Sequence, residues 1–148
     1  MTETMTQTKA QTNAEARGVA GPLGEAAGND WPARFLKEAD TLDIDRLTAC
    51  FADDIEVRFG NADAIHGKPA ARAAFVGFWS TIRGMRHQPE TVVRADDLAS
   101  QQSIVTYTTL DGRDISVPVA SHLRRTPEGL LNRLWIFIDL APLFAPAP

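Results

Sequence analysis

The sequence predicts a two-layer α+β domain in which a curved antiparallel sheet wraps three N-terminal helices. Three observations carry this. Apolar residues recur at helical spacing up to about residue 82, strand-like patterning takes over from His87 onward, and two turn signals, Asp111-Gly112 and Thr126-Pro127-Glu128-Gly129, separate the later strands. Helices first and strands afterwards place the two element types in separate layers around one core.

Length and composition fit that reading. A chain of 148 residues with 44% apolar composition builds one core and has no room for two large domains. A formal charge of -4, from 15 basic and 19 acidic residues, provides no basic field of the kind that nucleic acid requires as a partner. No N-terminal signal-type run and no stretch of about 20 apolar residues is present, so neither secretion nor a membrane partner is expected. Cys50 is the only cysteine, which excludes an intrachain disulfide and fits a reducing cytoplasm.

Residues 1–29 are rich in Thr, Gln, Ala, Gly and Glu and read as a flexible arm ahead of a single domain at 30–148. Order is expected to begin at Asn29-Asp30-Trp31-Pro32, where a capping side chain precedes a first-turn proline and Trp31, Phe35, Leu36 and Ala39 form one stripe. Asp43 or Asp45 caps a second helix carrying Leu47, Cys50 and Phe51, and Asp53-Asp54 is expected to break it before the strand residues Ile55, Val57 and Phe59. Past Gly67, a third helix over 68–82 gathers Ala71, Phe75, Phe78, Trp79 and Ile82. Strands follow near 86–95, 101–110, 113–125 and 131–139.

Turn chemistry then sets an expected register. A two-residue turn at Asp111-Gly112 places Tyr107 opposite Ser116, and a turn centred between Pro127 and Glu128 places Ser116 opposite Asp139. One face would then hold Val105, Tyr107, Ser116, Pro118, Ala120, Trp135, Phe137 and Asp139. The other would hold the aliphatic set Ile115, Val117, Val119, Leu134, Ile136 and Ile138 with Thr106. Helices cover one face only, so the aliphatic face is expected to pair with a second copy in a homodimer.

Three helices, long antiparallel strands, Gly67 ahead of the third helix and the ending Trp135-Ile136-Phe137-Ile138-Asp139-Leu140-Ala141-Pro142-Leu143 together resemble the nuclear transport factor 2-like superfamily, and within it the SnoaL-like polyketide cyclases. The resemblance covers about residues 30–144 and implies a cone-shaped cavity between sheet and helices. It also implies an acid-base aspartate on the last strand, for which Asp139 is the matching position. The histidine that those cyclases place across from it is replaced by Ser116 in the expected register.

The candidate catalytic residues are therefore Asp139, Tyr107 and His87. Desolvation beside Trp135 and Phe137 would fit Asp139 for proton transfer, Tyr107 would orient a substrate oxygen, and His87 begins a strand near the cavity mouth. For Asp139 and Tyr107 a structural reading stays open, as a hydrogen-bonded carboxylate and a packed phenol. Ser116, Trp135, Phe137, Val105 and Trp79 are candidate substrate-binding wall. The three histidines lie on three separate elements and no metal-ligand or phosphate-loop spacing exists, so no metal and no cofactor are expected. The expected function is a cofactor-free cyclase or isomerase that abstracts a proton from an apolar or aromatic carbonyl ligand. A noncatalytic ligand-binding or scaffold protein, and a hydrolase or dehydratase of the same fold, are the alternatives.

Overall fold

The computed structural model describes residues 21–24, 28 and 30–148. Helix α1 spans Trp31–Asp40, α2 Ile44–Thr48 and α3 Lys68–Trp79. The strands are β1 Phe51–Phe59, β2 Ile65–His66, β3 Ile82–Ala95, β4 Leu98–Thr109, β5 Asp114–Arg125 and β6 Leu131–Ile138, and a short helix α4 covers Ala141–Phe144. They form one curved sheet in the order β2-β1-β6-β5-β4-β3, antiparallel except for the parallel pair of β1 with β6.

The helices form where their signals stand, with three changes: Asp30 makes no side-chain cap bond at α1, α2 ends before Phe51, and α3 ends at Trp79, so that Ile82 opens β3 instead of closing the helix. In α1 a proline occupies the first turn and Trp31, Phe35, Leu36 and Ala39 are buried along one stripe. The Asp43 carboxylate caps α2 by accepting from the backbone N–H groups of Asp45 and Arg46 at 3.0 and 3.2 Å. That helix stops at Thr48, and Phe51 already belongs to β1. Asp53 and Asp54 do not break the chain; they sit exposed inside β1, where its pairing with β6 is irregular between Phe51 and Glu56. Ring contacts run from Phe35 through Phe51, Phe75 and Phe59 to Phe78 and Tyr107, joining helices and sheet in one core.

The sheet register differs from the expected one, and the difference decides which face is inside. Tyr107 pairs with Ile115 and Thr106 with Ser116, one residue away from the expected pairing. The cause is the turn. Thr109 N–H donates to the Arg113 carbonyl at 2.8 Å around a three-residue loop, and Gly112 takes the left-handed conformation (φ 88°) that such a loop needs at its last position. The Thr109 hydroxyl reinforces the loop by donating to Asp111 and accepting from Arg113 N–H. A slip of one residue sends every β4 side chain to the opposite face relative to β5. Between β5 and β6 the shift is two residues, with Ala120 opposite Phe137 and a bulge that leaves Asn132 unpaired, so facing is kept there.

Val117, Val119 and Leu134 are consequently buried against the helices together with Val105 and Tyr107. The aliphatic face assigned above to a homodimer interface is the domain's own core face. Burial of this larger apolar set outweighs that of the mixed face bearing Ser116, Pro118, His122 and Phe137. The reason for expecting a second copy on that face is thereby removed.

Most of the arm at 1–29 lies outside the described residues. Residues 21–24, however, lie against the β5–β6 turn: Gly21 and Leu23 N–H donate to the carbonyls of Glu128 and Gly129 at 2.6 and 3.1 Å, and Leu23 is fully buried. Arg125 fastens the same strip by donating to the Leu23 carbonyl at 2.6 Å while its guanidinium lies over Trp31 and pairs with Asp97 at 2.9 Å.

Candidate active site

A cavity of about 40 Å³ lies between the helices and the inner face of the sheet. Its wall is mostly apolar, with Phe75, Phe78, Met85 and Ile136 among the lining residues, and its polar contributors are His87, Tyr107, Ser121 and the Trp79 indole. His87 pairs with Val105 and Met85 with Tyr107, so His87 and Tyr107 are diagonal neighbours on adjacent strands and share the inward face.

Asp40, the last residue of α1, meets His87 with both carboxylate oxygens. Oδ1 lies 2.6 Å from the ring Nδ1 and Oδ2 accepts the His87 backbone N–H at 2.9 Å. Both side chains are largely buried, at 12% exposure for His87 and 23% for Asp40. A carboxylate oxygen at this distance accepts from the ring, which places a proton on Nδ1; in the neutral ring Nε2 is then the acceptor. The arrangement is that of an oriented general base.

Tyr107 is buried to 5% exposure and its ring packs edge-on against Phe78. Burial raises its pKa well above the ordinary tyrosine value, and the negative charge of Asp40 adds to the shift. The phenol is thus a hydrogen-bond donor and not a base at neutral pH. Among the described residues no protein group takes up its hydroxyl. The Trp79 indole N–H is buried without an acceptor as well.

The expected site residues divide between two faces. His87, Tyr107 and Trp79 line the cavity, and Val105 is fully buried on the same face without lining it. Asp139, Ser116, Trp135 and Phe137 do not line it. Asp139 is exposed and accepts the Ala141 N–H at 2.9 Å beside the start of α4. The Ser116 hydroxyl bonds Thr106 Oγ1 at 2.8 Å on the outer face. There the Trp135 indole donates to Glu56 at 2.8 Å, and Phe137 is 43% exposed. Sequence reasoning did not single out Asp40. One signal for it existed: an acidic residue in a helix's last turn opposes the helix dipole and calls for a compensating donor nearby.

Among the described residues no group of three His, Cys, Asp or Glu side chains is placed to hold a metal ion. No helix among them is long and apolar enough to cross a membrane.

A curved, mostly antiparallel sheet closing over helices around a small apolar cavity defines the chain as an α+β protein of the nuclear transport factor 2-like class. Residues 33–133 match the SnoaL-like domain family, and the chain belongs to that family. Solved structures agree on the fold. A putative SnoaL-like polyketide cyclase from Jannaschia sp. CCS1 superimposes with a TM-score of 0.64 at 17% identity, over 77% of this chain and 90% of that one. The epoxide hydrolase/cyclase-like enzyme SalBIII, of pyran ring formation in the polyether salinomycin, gives 0.64 at 15% identity over 74% and 88%. An NTF2-like protein of unknown function from Exiguobacterium sp. 255-15 gives 0.63 at 18% over 72% and 96%. No curated protein matches the sequence.

Proposed function

We propose that the chain is a cofactor-free enzyme that removes a proton from carbon next to a carbonyl group, in the manner of a cyclase or isomerase, with His87 as the base. The observation that carries this reading is the Asp40–His87 pair on the wall of an apolar cavity beside a protonated, unengaged phenol. In the proposed step His87 Nε2 takes the proton, the C–H electron pair moves into the enolate, and Tyr107 donates to the developing oxygen anion. Asp40 stabilises the imidazolium that forms. Asp139 has no place in this step, because it is exposed and engaged with α4.

Cavity size limits the substrate. At about 10–15 Å³ per water, 40 Å³ holds only a few water molecules. An aromatic carbonyl compound therefore enters only if the half-buried wall residues Phe78, Met85 and Leu140 move aside, whereas a small ketone needs less displacement. The test is solvent exchange: small cyclic and aryl ketones are incubated with the protein in D2O and deuterium incorporation at the α-carbon is followed by NMR. We expect exchange that falls at least about 100-fold in His87→Gln. Exchange unaffected by that substitution rejects the assignment.

The water-sized volume favours one second reading, in which His87 activates a water for hydrolysis or for addition and loss of water. Incorporation of 18O from solvent into product, dependent on His87, distinguishes it from enolate chemistry.

A further inference from the structure

An apolar hollow larger than the cone lies outside it. On the outer face of the sheet, across β3 to β6, lies an open groove of about 370 Å³, which is within the range of small-molecule sites, whereas the cone's 40 Å³ is well below it. Its floor is aromatic and aliphatic: Trp135, Phe137 and Leu98, with Val93 beside them. Phe137, Leu98 and Val93 are 43%, 52% and 64% exposed, an unusual concentration of large apolar surface on one side of a small domain.

The two rings are held in place. The Trp135 indole donates to Glu56, and the Arg133 guanidinium lies 4.6 Å over its ring. Phe137 is met edge-on by the His122 ring at 5.4 Å. The rim is basic: Arg124 and Arg133 line the groove with His122, and among the described residues no carboxylate does. Arg133 is partly neutralised by Glu56 at 3.3 Å, a charge pairing that is not aligned as a hydrogen bond. Arg124 has no ion pair among the described residues. Its Nε is held by the Asn132 side chain at 2.8 Å, which leaves both terminal nitrogens as a fork for a planar anion. Asn132 reaches it because the β6 bulge takes that residue out of the ladder.

We propose that this groove binds an aromatic carboxylate, its ring on Trp135 and Phe137 and its carboxylate on the Arg124 fork. Flat apolar floor, cationic rim and volume all select that chemistry over a neutral ligand or a cation. The site is separate from the cone, and the proposal does not depend on the His87 chemistry.

The test titrates the full chain with 2-naphthoate and with its neutral counterpart 2-naphthalenemethanol, following amide shifts by NMR, for the wild type, Arg124→Gln, Phe137→Ala and His87→Gln. Saturable naphthoate binding that weakens about tenfold or more in Arg124→Gln and in Phe137→Ala, but not in His87→Gln, supports the site. Equal binding of the neutral compound, loss of binding in His87→Gln, or no saturation at millimolar naphthoate overturns it. Light scattering on the same samples supplies a further arm: a dimer that dissociates in Phe137→Ala overturns the proposal in favour of a second copy as the occupant. Arg124 and Phe137 are partly or largely exposed, and a circular dichroism melt on each variant confirms that folding is retained.

Discussion

Asp40 and His87, separated by 47 residues, are joined by two contacts from one carboxylate, one to the imidazole and one to the backbone N–H of the same histidine. The double contact fixes both where β3 passes the end of α1 and which ring nitrogen is left for chemistry. A helix terminus and a strand are thereby locked together at the cavity wall.

Replacing Asp40 by Ala leaves two largely buried donors without an acceptor, so we expect a loss of about 1–3 kcal/mol in unfolding free energy by urea denaturation. Asp40→Asn keeps one acceptor for the backbone N–H and should recover part of that loss, while the ring proton no longer has a carboxylate to hold it on Nδ1. Nitrogen-15 NMR of the imidazole reads the tautomer directly, and an unchanged Nδ1–H population in Asp40→Asn would contradict the role given to Asp40.

Asp139→Asn separates the two candidate bases. The amide oxygen can still accept from Ala141 N–H, and the residue is exposed, so stability should change by less than about 0.5 kcal/mol. α-Proton exchange should be unchanged. Exchange lost in Asp139→Asn and retained in His87→Gln would return the base to the last strand.

The distance between Asp139 and His87 as candidates also shows what the sequence could and could not reveal. Periodicity located α1, α3 and the long strands, because helix and strand spacings are local properties of the chain. The paired faces were not local. Asp111-Gly112 reads equally as a two-residue turn and as the end of a three-residue loop, and Leu110 joining the loop is enough to put Ile115 in place of Ser116 as the neighbour of Tyr107. His87 and Tyr107 stand out in the sequence because each is a chemically distinctive residue on a strand. Their partner Asp40 lies on another element, brought near only by the packing of α1 on β3, and no spacing rule reaches across that gap.

Cys50 should be inert in the folded protein. It is fully buried, and burial, helped by the nearby Glu38 charge, pushes its thiol up to about 12, so almost no thiolate exists near neutral pH. Iodoacetamide at pH 8 should leave the native protein unmodified by mass spectrometry and modify it once in 6 M guanidinium chloride. Rapid alkylation under native conditions would show that the Leu47–Phe51 region opens readily.

Gly129 permits the chain to lie against the β5–β6 turn. It has φ 81°, and a Cβ there would overlap the backbone of Gly24. Gly129→Ala should therefore displace residues 21–24, uncovering Leu23 and freeing the Arg125 contact with its carbonyl, at about 2–3 kcal/mol from strain and lost burial together. Limited proteolysis should cut the variant near residue 24 well before the wild type. Identical cleavage patterns would mean that the strip contributes nothing to stability.

Glu38 supplies a pH-dependent part of the stability. Its side chain, 9% exposed, accepts from Arg46 at 2.8 Å and from Arg34 at 3.2 Å, and the Arg46 hydrogen bond above all holds its pKa below the ordinary glutamate value against the opposing effect of burial. A carboxyl whose pKa is lower folded than unfolded binds fewer protons in the folded state, so its contribution is complete above the unfolded value of about 4.3 and disappears as pH falls through the folded value. Both arginines are more than half exposed and recover hydration when the pair is broken, which keeps the expected loss in Glu38→Gln at about 1 kcal/mol at pH 7. Urea unfolding of the two proteins should show that gap at pH 6–7, and the gap should narrow steadily once the pH drops below about 4. A gap that stays constant down to pH 3 would mean that Glu38 acts through packing alone and not through its charge.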